Sequence, residues 1–229
     1  MRKVIATTFV SLDGVMQAPG QPDEDTTGGF EFGGWMVPYM EAAAARILNG
    51  IYTRPYDLLL GRRTYDIFAG YWPHVEKDPD QPGYDEGNAQ MGKAFDEVTK
   101  YVATSSPATL GWQHSKWLGQ NIVKTLKELK EEKDAGPLLI PGSGKLVQSL
   151  MEHRLVDELK LFVFPLVLGK GKRLFAADGK PTKFKVTHTA TTPAGVMVAT
   201  YETAGDVRTG TFDELPERTR PSHGEPSHA

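Results

Sequence analysis

From residue 1 to about residue 203 the chain repeats one pattern: a short apolar run, a glycine or proline, then an amphipathic stretch. That alternation is how strands and helices following one another look in sequence, and it predicts an α/β protein built on a sheet. The apolar runs predict strands over residues 3–10, 57–60, 101–104, 137–140, 158–164, 183–188 and 196–202. The first four fit parallel β-α units, whereas the last three are joined with no helical pattern between them. The expected architecture is a mostly parallel central sheet with antiparallel C-terminal strands and helices on both faces.

The helical pattern is clearest over residues 120–133, where Ile122, Leu126 and Leu129 fall three to four apart, and after Gly144, where Leu146, Val147, Leu150 and Met151 share one face. An alanine-rich helix is expected over residues 40–49, stopped at Asn49-Gly50, and another over residues 62–68 directly after a strand. Two long connections remain, residues 17–34 and 72–88; the first carries five glycines, two prolines and several acids. Loops of that length in a compact domain are usually functional or mobile. Residues 213–229 hold Pro216, Pro221 and Pro226 among few apolar side chains, which predicts a disordered tail after one domain spanning residues 1–212.

Composition narrows the function classes. A chain of 229 residues, 39% hydrophobic and 24% charged, is large enough for one sizeable core. Its 26 basic and 29 acidic residues leave a net charge of −3, so nothing attracts a polyanion and nucleic acid is not an expected partner. Without cysteine there are no disulfides, thiolate metal sites or thiol nucleophiles, and a cytoplasmic location is the default expectation. Arg2 and Lys3 followed by an apolar run imitate a secretory leader, but Thr7, Thr8 and Ser11 interrupt the run and Asp13 ends it, so a buried strand fits better. No other apolar run approaches the roughly 18 residues that span a bilayer. His74, His114, His153 and His188 lack metal-ligand spacing, His223 and His228 are too sparse for a site, and no Ser/His/Asp grouping supports hydrolysis.

What remains is anion chemistry at strand ends. Glycine turns between a strand and a helix expose backbone N–H groups at the positive end of a helix dipole. Gly142-Ser143-Gly144-Lys145-Leu146 follows the run 138–140 in that way. It is similar to a P-loop but has Leu139 where that motif needs glycine and Leu146 where it needs Ser or Thr, so the magnesium ligand is missing. A plain tight turn with Ser143 as helix N-cap is the other reading. Gly61-Arg62-Arg63-Thr64 ends the run 57–60 with two cations in a helix's first turn, where the dipole disfavours them unless an anion sits alongside; a guanidinium clamp for phosphate resolves that conflict. Thr104, Ser105 and Ser106 add hydroxyl donors at what should be the same edge of the sheet, where ligands of open α/β sheets bind. Gly169-Lys170-Gly171-Lys172-Arg173 reads as a turn.

Acid–base candidates are fewer. Asp13 follows the first strand and Glu41 opens the first helix; each could protonate or hydrogen-bond a heterocycle, or serve only as a turn residue and a helix N-terminal acid respectively. Trp35, Tyr39, Tyr65, Phe68, Tyr71 and Trp72 cluster near two strand ends, as stacking partners for a planar ligand or as core.

The segments Thr8-Phe9-Val10-Ser11-Leu12-Asp13-Gly14, Leu60-Gly61-Arg62-Arg63-Thr64-Tyr65, Pro141-Gly142-Ser143-Gly144-Lys145-Leu146 and Leu155-Val156-Asp157-Glu158-Leu159, the last running on into Phe164-Pro165-Leu166-Val167-Leu168-Gly169-Lys170-Gly171-Lys172-Arg173-Leu174-Phe175, occur in an order that resembles the dihydrofolate reductase-like superfamily. Within it the likeness is to bacterial proteins similar to the C-terminal reductase domain of riboflavin-biosynthesis deaminase-reductases, and it covers residues 1–212. The resemblance implies a reductase using NADPH and, frequently, a homodimer. By position it implies cofactor phosphate contacts at Gly61, Arg62 and Thr64, with Arg63 beside them. It places the adenosine side with its 2′-phosphate at Thr104, Ser105 and Ser106, and the pyrophosphate at Gly142, Ser143, Gly144, Lys145 and Leu146. Asp13 through Met16 would lie by the nicotinamide and the substrate, with Trp35, Tyr39 and Tyr65 as further substrate contacts and Asp13 and Glu41 as the acid candidates. Dihydrofolate reductases carry a carboxylate two positions after the proline of a Trp-x-x-Pro pattern; here Trp35 and Pro38 match but that position is Met40, so folate reduction is not implied. The cysteines and His-x-Glu of the zinc deaminase half are likewise missing. The expectation is an NADPH-dependent oxidoreductase acting on a small heterocyclic, pterin- or pyrimidine-like substrate. The alternative is a non-catalytic, nucleotide-binding or sensory module on the same fold.

Overall fold

The computed structural model describes residues 1–53 and 55–212; the tail predicted over residues 213–229 lies outside them. One eight-stranded sheet runs through the molecule: β1 (Val4–Ser11), β2 (Asp57–Gly61), β3 (Lys100–Ala103), β4 (Ser115–Trp117), β5 (Leu138–Pro141), β6 (Glu158–Phe164), β7 (Phe184–Thr191) and β8 (Met197–Thr203). Their order across the sheet is β4-β3-β2-β5-β1-β6-β8-β7. Every pairing from β4 to β6 is parallel, and β8 runs antiparallel to both β6 and β7. The mostly parallel sheet with antiparallel C-terminal pairing is therefore the one expected, and β8 alone reverses direction.

Among the described residues five α-helices cover it: α1 (Ala42–Ile51), α2 (Arg62–Tyr71), α3 (Glu86–Glu97), α4 (Ile122–Lys130) and α5 (Gly144–Glu152). Side chains alternate across each strand, so neighbouring apolar residues feed opposite layers. Val4, Ala6, Leu59, Leu138 and Ile140 pack with Leu126 and Leu129 of α4 and with Leu146, Val147 and Leu150 of α5. Ile5, Leu58, Leu60 and Leu139 pack on the other face with Tyr65 of α2 and Phe95 of α3. A third cluster on that face joins Phe162, Phe164 and Val198 to Ile47, Leu48 and Ile51 of α1. β1 is covered on both sides and nearly all of it is buried, its interrupting Thr7, Thr8 and Ser11 included. Arg2, the basic start of the leader-like segment, is buried with its guanidinium paired to Asp57 at 2.5 Å and Glu132 at 2.7 Å.

Two elements were not expected. β4 is three residues long, and α3 begins inside the 72–88 connection at Asp85, whose side chain accepts from Asn88 N–H. Among the described residues no helix is long and apolar enough to cross a membrane. The open edge at β7 is eight residues long and mostly exposed.

Candidate functional site

β2 and β5 lie side by side, and the helix that follows each starts at the same edge of the sheet, α2 on one face and α5 on the other. The two starts touch: Gly61 N–H donates to Ser143 Oγ at 3.0 Å. Ser143 is thus the residue preceding α5, yet its side chain makes no capping bond to that helix; it reaches across to the start of α2. The turn is tight because Gly142 (φ 69°) and Ser143 (φ 55°) are both left-handed, an uncommon state for a residue with a Cβ. Gly142 N–H is satisfied by the Thr7 carbonyl at 2.9 Å. The first-turn amides of α5 have no intrahelical acceptor and no side-chain cap, so they present bare donors at a dipole's positive end. Leu146 contributes only its amide there, since its side chain is in the core, whereas Lys145 is exposed.

The cations opening α2 are held differently. Arg62 forms a two-point contact with Asp66, Nε at 3.0 Å and Nη2 at 2.5 Å, and its Nη1 donates to Thr109 Oγ1 at 2.8 Å and the Ser106 carbonyl at 3.3 Å. It therefore ties α2 to the loop after β3, where Ser106 N–H donates to Thr104 Oγ1. Arg63 pairs with Asp25 at 2.7 Å. Thr64 is partly buried beside them, and Ser105 and Ser106 are exposed at the loop surface. The anion needed to settle two cations in a helix's first turn is thus supplied in this structure by the protein's own carboxylates.

Asp25 belongs to the long 17–34 connection, which folds as a strap over this edge. Its carboxylate also pairs with Lys172 at 2.5 Å and accepts from Thr27. Burial alone would raise the Asp25 carboxyl, but the bonds from Lys172 and Thr27 outweigh it and the group sits below its ordinary range. Gln17 completes the strap: Nε2 donates to the carbonyls of Asp25 and Thr27 at 2.9 Å each, and its Oε1 accepts from Lys172 N–H. Met16 lies against the α5 start so closely that a Cβ on Gly144 would stand 2.6 Å from its Sδ.

The acid candidates are both occupied. Asp13 accepts from Ser11 Oγ at 2.6 Å and from the amides of Leu168 and Gly169 at 3.1 and 3.0 Å, and Arg173 approaches at 3.3 Å. The Ser11 bond leads the causes that hold its carboxyl below the usual carboxylate range. This residue braces the 168–173 turn and stays ionised. Glu41 precedes α1 and its Oε1 accepts from Ala194 N–H at 2.9 Å, tying that helix to the β7–β8 turn. Of the aromatics, Tyr65 is 2% exposed with its hydroxyl accepting from Trp112 N–H, so it is a core residue under α2 and does not face the strand-end cleft. Trp35 is also buried, its Nε1 donating to the Gln17 carbonyl and its ring edge-on to Phe164. Tyr39 is half-buried on the same phenylalanine. Phe68 and Trp72 pack on Phe95, and Tyr71 on Trp72, under α2 and α3.

The structure thus brings together Gly61, Arg62, Arg63, Gly142, Ser143, Gly144, Lys145, Met16 and the 104–106 loop along one edge. It adds two residues that sequence reasoning missed. Asp25 is one of three consecutive acids, with no local signal to separate it from Asp23 and Glu24. Trp117 stands on a strand too short to show a pattern, and its Nε1 donates to the Thr104 carbonyl at 2.8 Å.

The sequence model of the RibD C-terminal domain family matches residues 2–198. The uncharacterized protein YyaP of Bacillus subtilis (strain 168) is 26% identical over 205 residues, covering 89% of this chain and 96% of that protein. A crystal structure of a putative riboflavin biosynthesis protein from Shewanella sp. PV-4 superposes with a TM-score of 0.57 at 19% identity, covering 88% of this chain and 99% of the other. Dihydrofolate reductase from Enterococcus faecalis, solved in complex with NADP(H) and RAB-propyl, superposes with a TM-score of 0.52 at 15% identity, covering 88% of this chain and 96% of the other. These two likenesses establish the dihydrofolate reductase-like fold.

Proposed function

The chain belongs to the RibD C-terminal domain family, and from that premise we propose that it is an NADPH-dependent reductase of a small heterocyclic, pterin- or pyrimidine-like substrate. The observation that carries the reading is the meeting of two helix starts, joined by Gly61 N–H and Ser143 Oγ, at the carboxyl ends of adjacent strands. Two helix N-termini meeting at one point, with bare first-turn amides at α5, suit a pyrophosphate. The residues present fit such a group. Gly144 and Lys145 would hold one phosphate side, where Gly142 and Ser143 shape the turn, and Thr64 the other, where Gly61 leaves room for close approach; Thr104, Ser105, Ser106 and Arg62 would hold the adenosine end with its 2′-phosphate. When bound, the nicotinamide supplies a hydride; the protein's part is position and electrostatics.

The substrate end lies toward the turn from Asp13 to Met16. Asp13 holds the 168–173 turn in shape and Met16 closes the space over Gly144. Because Asp13 and Glu41 each accept hydrogen bonds in braces, the reading assigns the proton of any reduction to solvent rather than to either carboxylate. The same observation favours a second reading, a dinucleotide-binding module that performs no reduction. We place the protein in the cytoplasm, where a diffusible reduced dinucleotide is available to it. The long exposed edge of β7, with Val186 on it and Met197 of the neighbouring β8 about half exposed, supports self-association as a homodimer.

Thermal melting with NADPH, with NADH and with neither tests the reading. A ligand at 100 times its dissociation constant adds about 2.7 kcal/mol of stability, so NADPH should raise the melting temperature more than NADH does. Absence of a shift with either would overturn cofactor binding. Binding followed by loss of reduced-nicotinamide absorbance across a panel of pterins and pyrimidines separates reductase from module. Arg62→Ala should weaken NADPH more than NADH. The loss should lie below the roughly 1.5–3 kcal/mol of a charged hydrogen bond, because Arg62 must first give up part of its contact with Asp66.

A further inference from the structure

We propose that Trp117 is the surface on which the adenine ring of the dinucleotide stacks, an inference that rests on the cofactor reading above. β4 is an edge strand, and Trp117 pairs in register with Val102, two residues before Thr104 on the neighbouring strand. The residue is 41% exposed, whereas Trp35 and Trp112 are buried and Trp72 is packed among Phe68, Tyr71 and Phe95. An exposed tryptophan gives up apolar burial, yet this one is not free to swing, since the bond from Nε1 to the Thr104 carbonyl fixes its edge. A ring held in place before binding loses little conformational freedom when a ligand arrives.

The surroundings match the rest of an adenosine phosphate. Thr104 Oγ1 and Ser106 N–H close the loop directly beside the indole. The Arg62 guanidinium reaches into that loop to the Ser106 carbonyl and Thr109 Oγ1. A flat π face, hydroxyl groups and a guanidinium are the three chemistries that a purine, a ribose and a phosphate require. The loop's hydroxyls and cation could bind phosphate without any aromatic residue, so the fixed, exposed indole is the feature that points to a base.

Adenosine 2′,5′-bisphosphate and NADPH serve as probes for the full chain, measured by calorimetry and by tryptophan emission. Trp117→Leu should weaken both by about tenfold or more, the scale of base–aromatic stacking, while Trp117→Phe keeps most of the affinity. Adenosine 2′,5′-bisphosphate, which has no nicotinamide, should quench emission in the natural protein and not in Trp117→Phe. Melting temperatures without ligand should stay close to one another, because the ring is largely outside the core. If the natural protein binds NADPH and Trp117→Leu binds both probes equally well, the adenine role is wrong and the cofactor reading stands. If the natural protein binds neither probe, both fall together.

Discussion

The starts of α2 and α5 face each other across one hydrogen bond, each lies beside a glycine, and they hold charge in opposite ways. At α2 the cations are neutralised from within, Arg62 by Asp66 and Arg63 by Asp25. At α5 no carboxylate caps the helix, Lys145 is exposed, and the donors are backbone amides. On the cofactor reading, an incoming phosphate would meet free amides at α5 and would have to exchange with resident carboxylates at α2. The difference extends to the glycines. A side chain at Gly144 runs into Met16, whereas one at Gly61 would lie 3.5 Å from Ser143 Oγ, an ordinary contact.

Gly144→Val should break the comparison most severely. Displacing Met16 should cost about 1–3 kcal/mol of stability in urea unfolding, and NADPH binding should fall with it. Ser143→Ala comes next: the Gly61 amide loses its acceptor, for an expected loss of about 1 kcal/mol. Ser143→Gly should recover part of that loss by relieving the left-handed backbone, and equal stability of the two variants would remove the strain argument. Asp25→Asn sharpens the contrast at α2. Stability should drop by less than about 1 kcal/mol, because Arg63 and Lys172 are half exposed, while NADPH affinity rises as Arg63 is released. Unchanged affinity would mean that Arg63 takes no part in cofactor binding. The sign with pH follows from the lowered Asp25 carboxyl: its contribution is present above the ordinary value of 3.8 and disappears as acid takes the pH down through the lowered one. Gly61→Ala should be the quietest change, within about 0.5 kcal/mol and with NADPH binding intact.

Most of the seven strands and four helices were legible because their apolar runs feed the layers beside the sheet, as in Leu58-Leu59-Leu60, whose members alternate between two clusters, whereas β7 is a mostly exposed edge. α3 was not, because its buried positions are Ala89, Gly92 and Phe95, and two of those three leave almost no apolar signal. Gly92 is small for a reason visible only in three dimensions: a Cβ there would stand 2.6 Å from Val75. At the site, the glycine turns and paired arginines announced anion chemistry through local rules. What those rules missed was partnership at a distance. Asp25 meets Arg63 and Lys172 from 38 and 147 residues away along the chain, and Asp13 is recruited by amides more than 150 residues later.

The strand order also governs when the site can exist during synthesis. β1 and β2 leave the ribosome early but are not neighbours; the strand between them is β5, which begins at Leu138, and the other flank of β1 is β6, which ends at Phe164. Contacts between segments so far apart along the chain close slowly and keep apolar edges open meanwhile. A nascent chain halted before Leu138 holds β1 with both of its edges unpaired, so the Gly61–Ser143 junction is among the last parts of the molecule to be assembled. Ligand added to stalled chains of increasing length should begin to protect them only once β5 and the start of α5 have emerged.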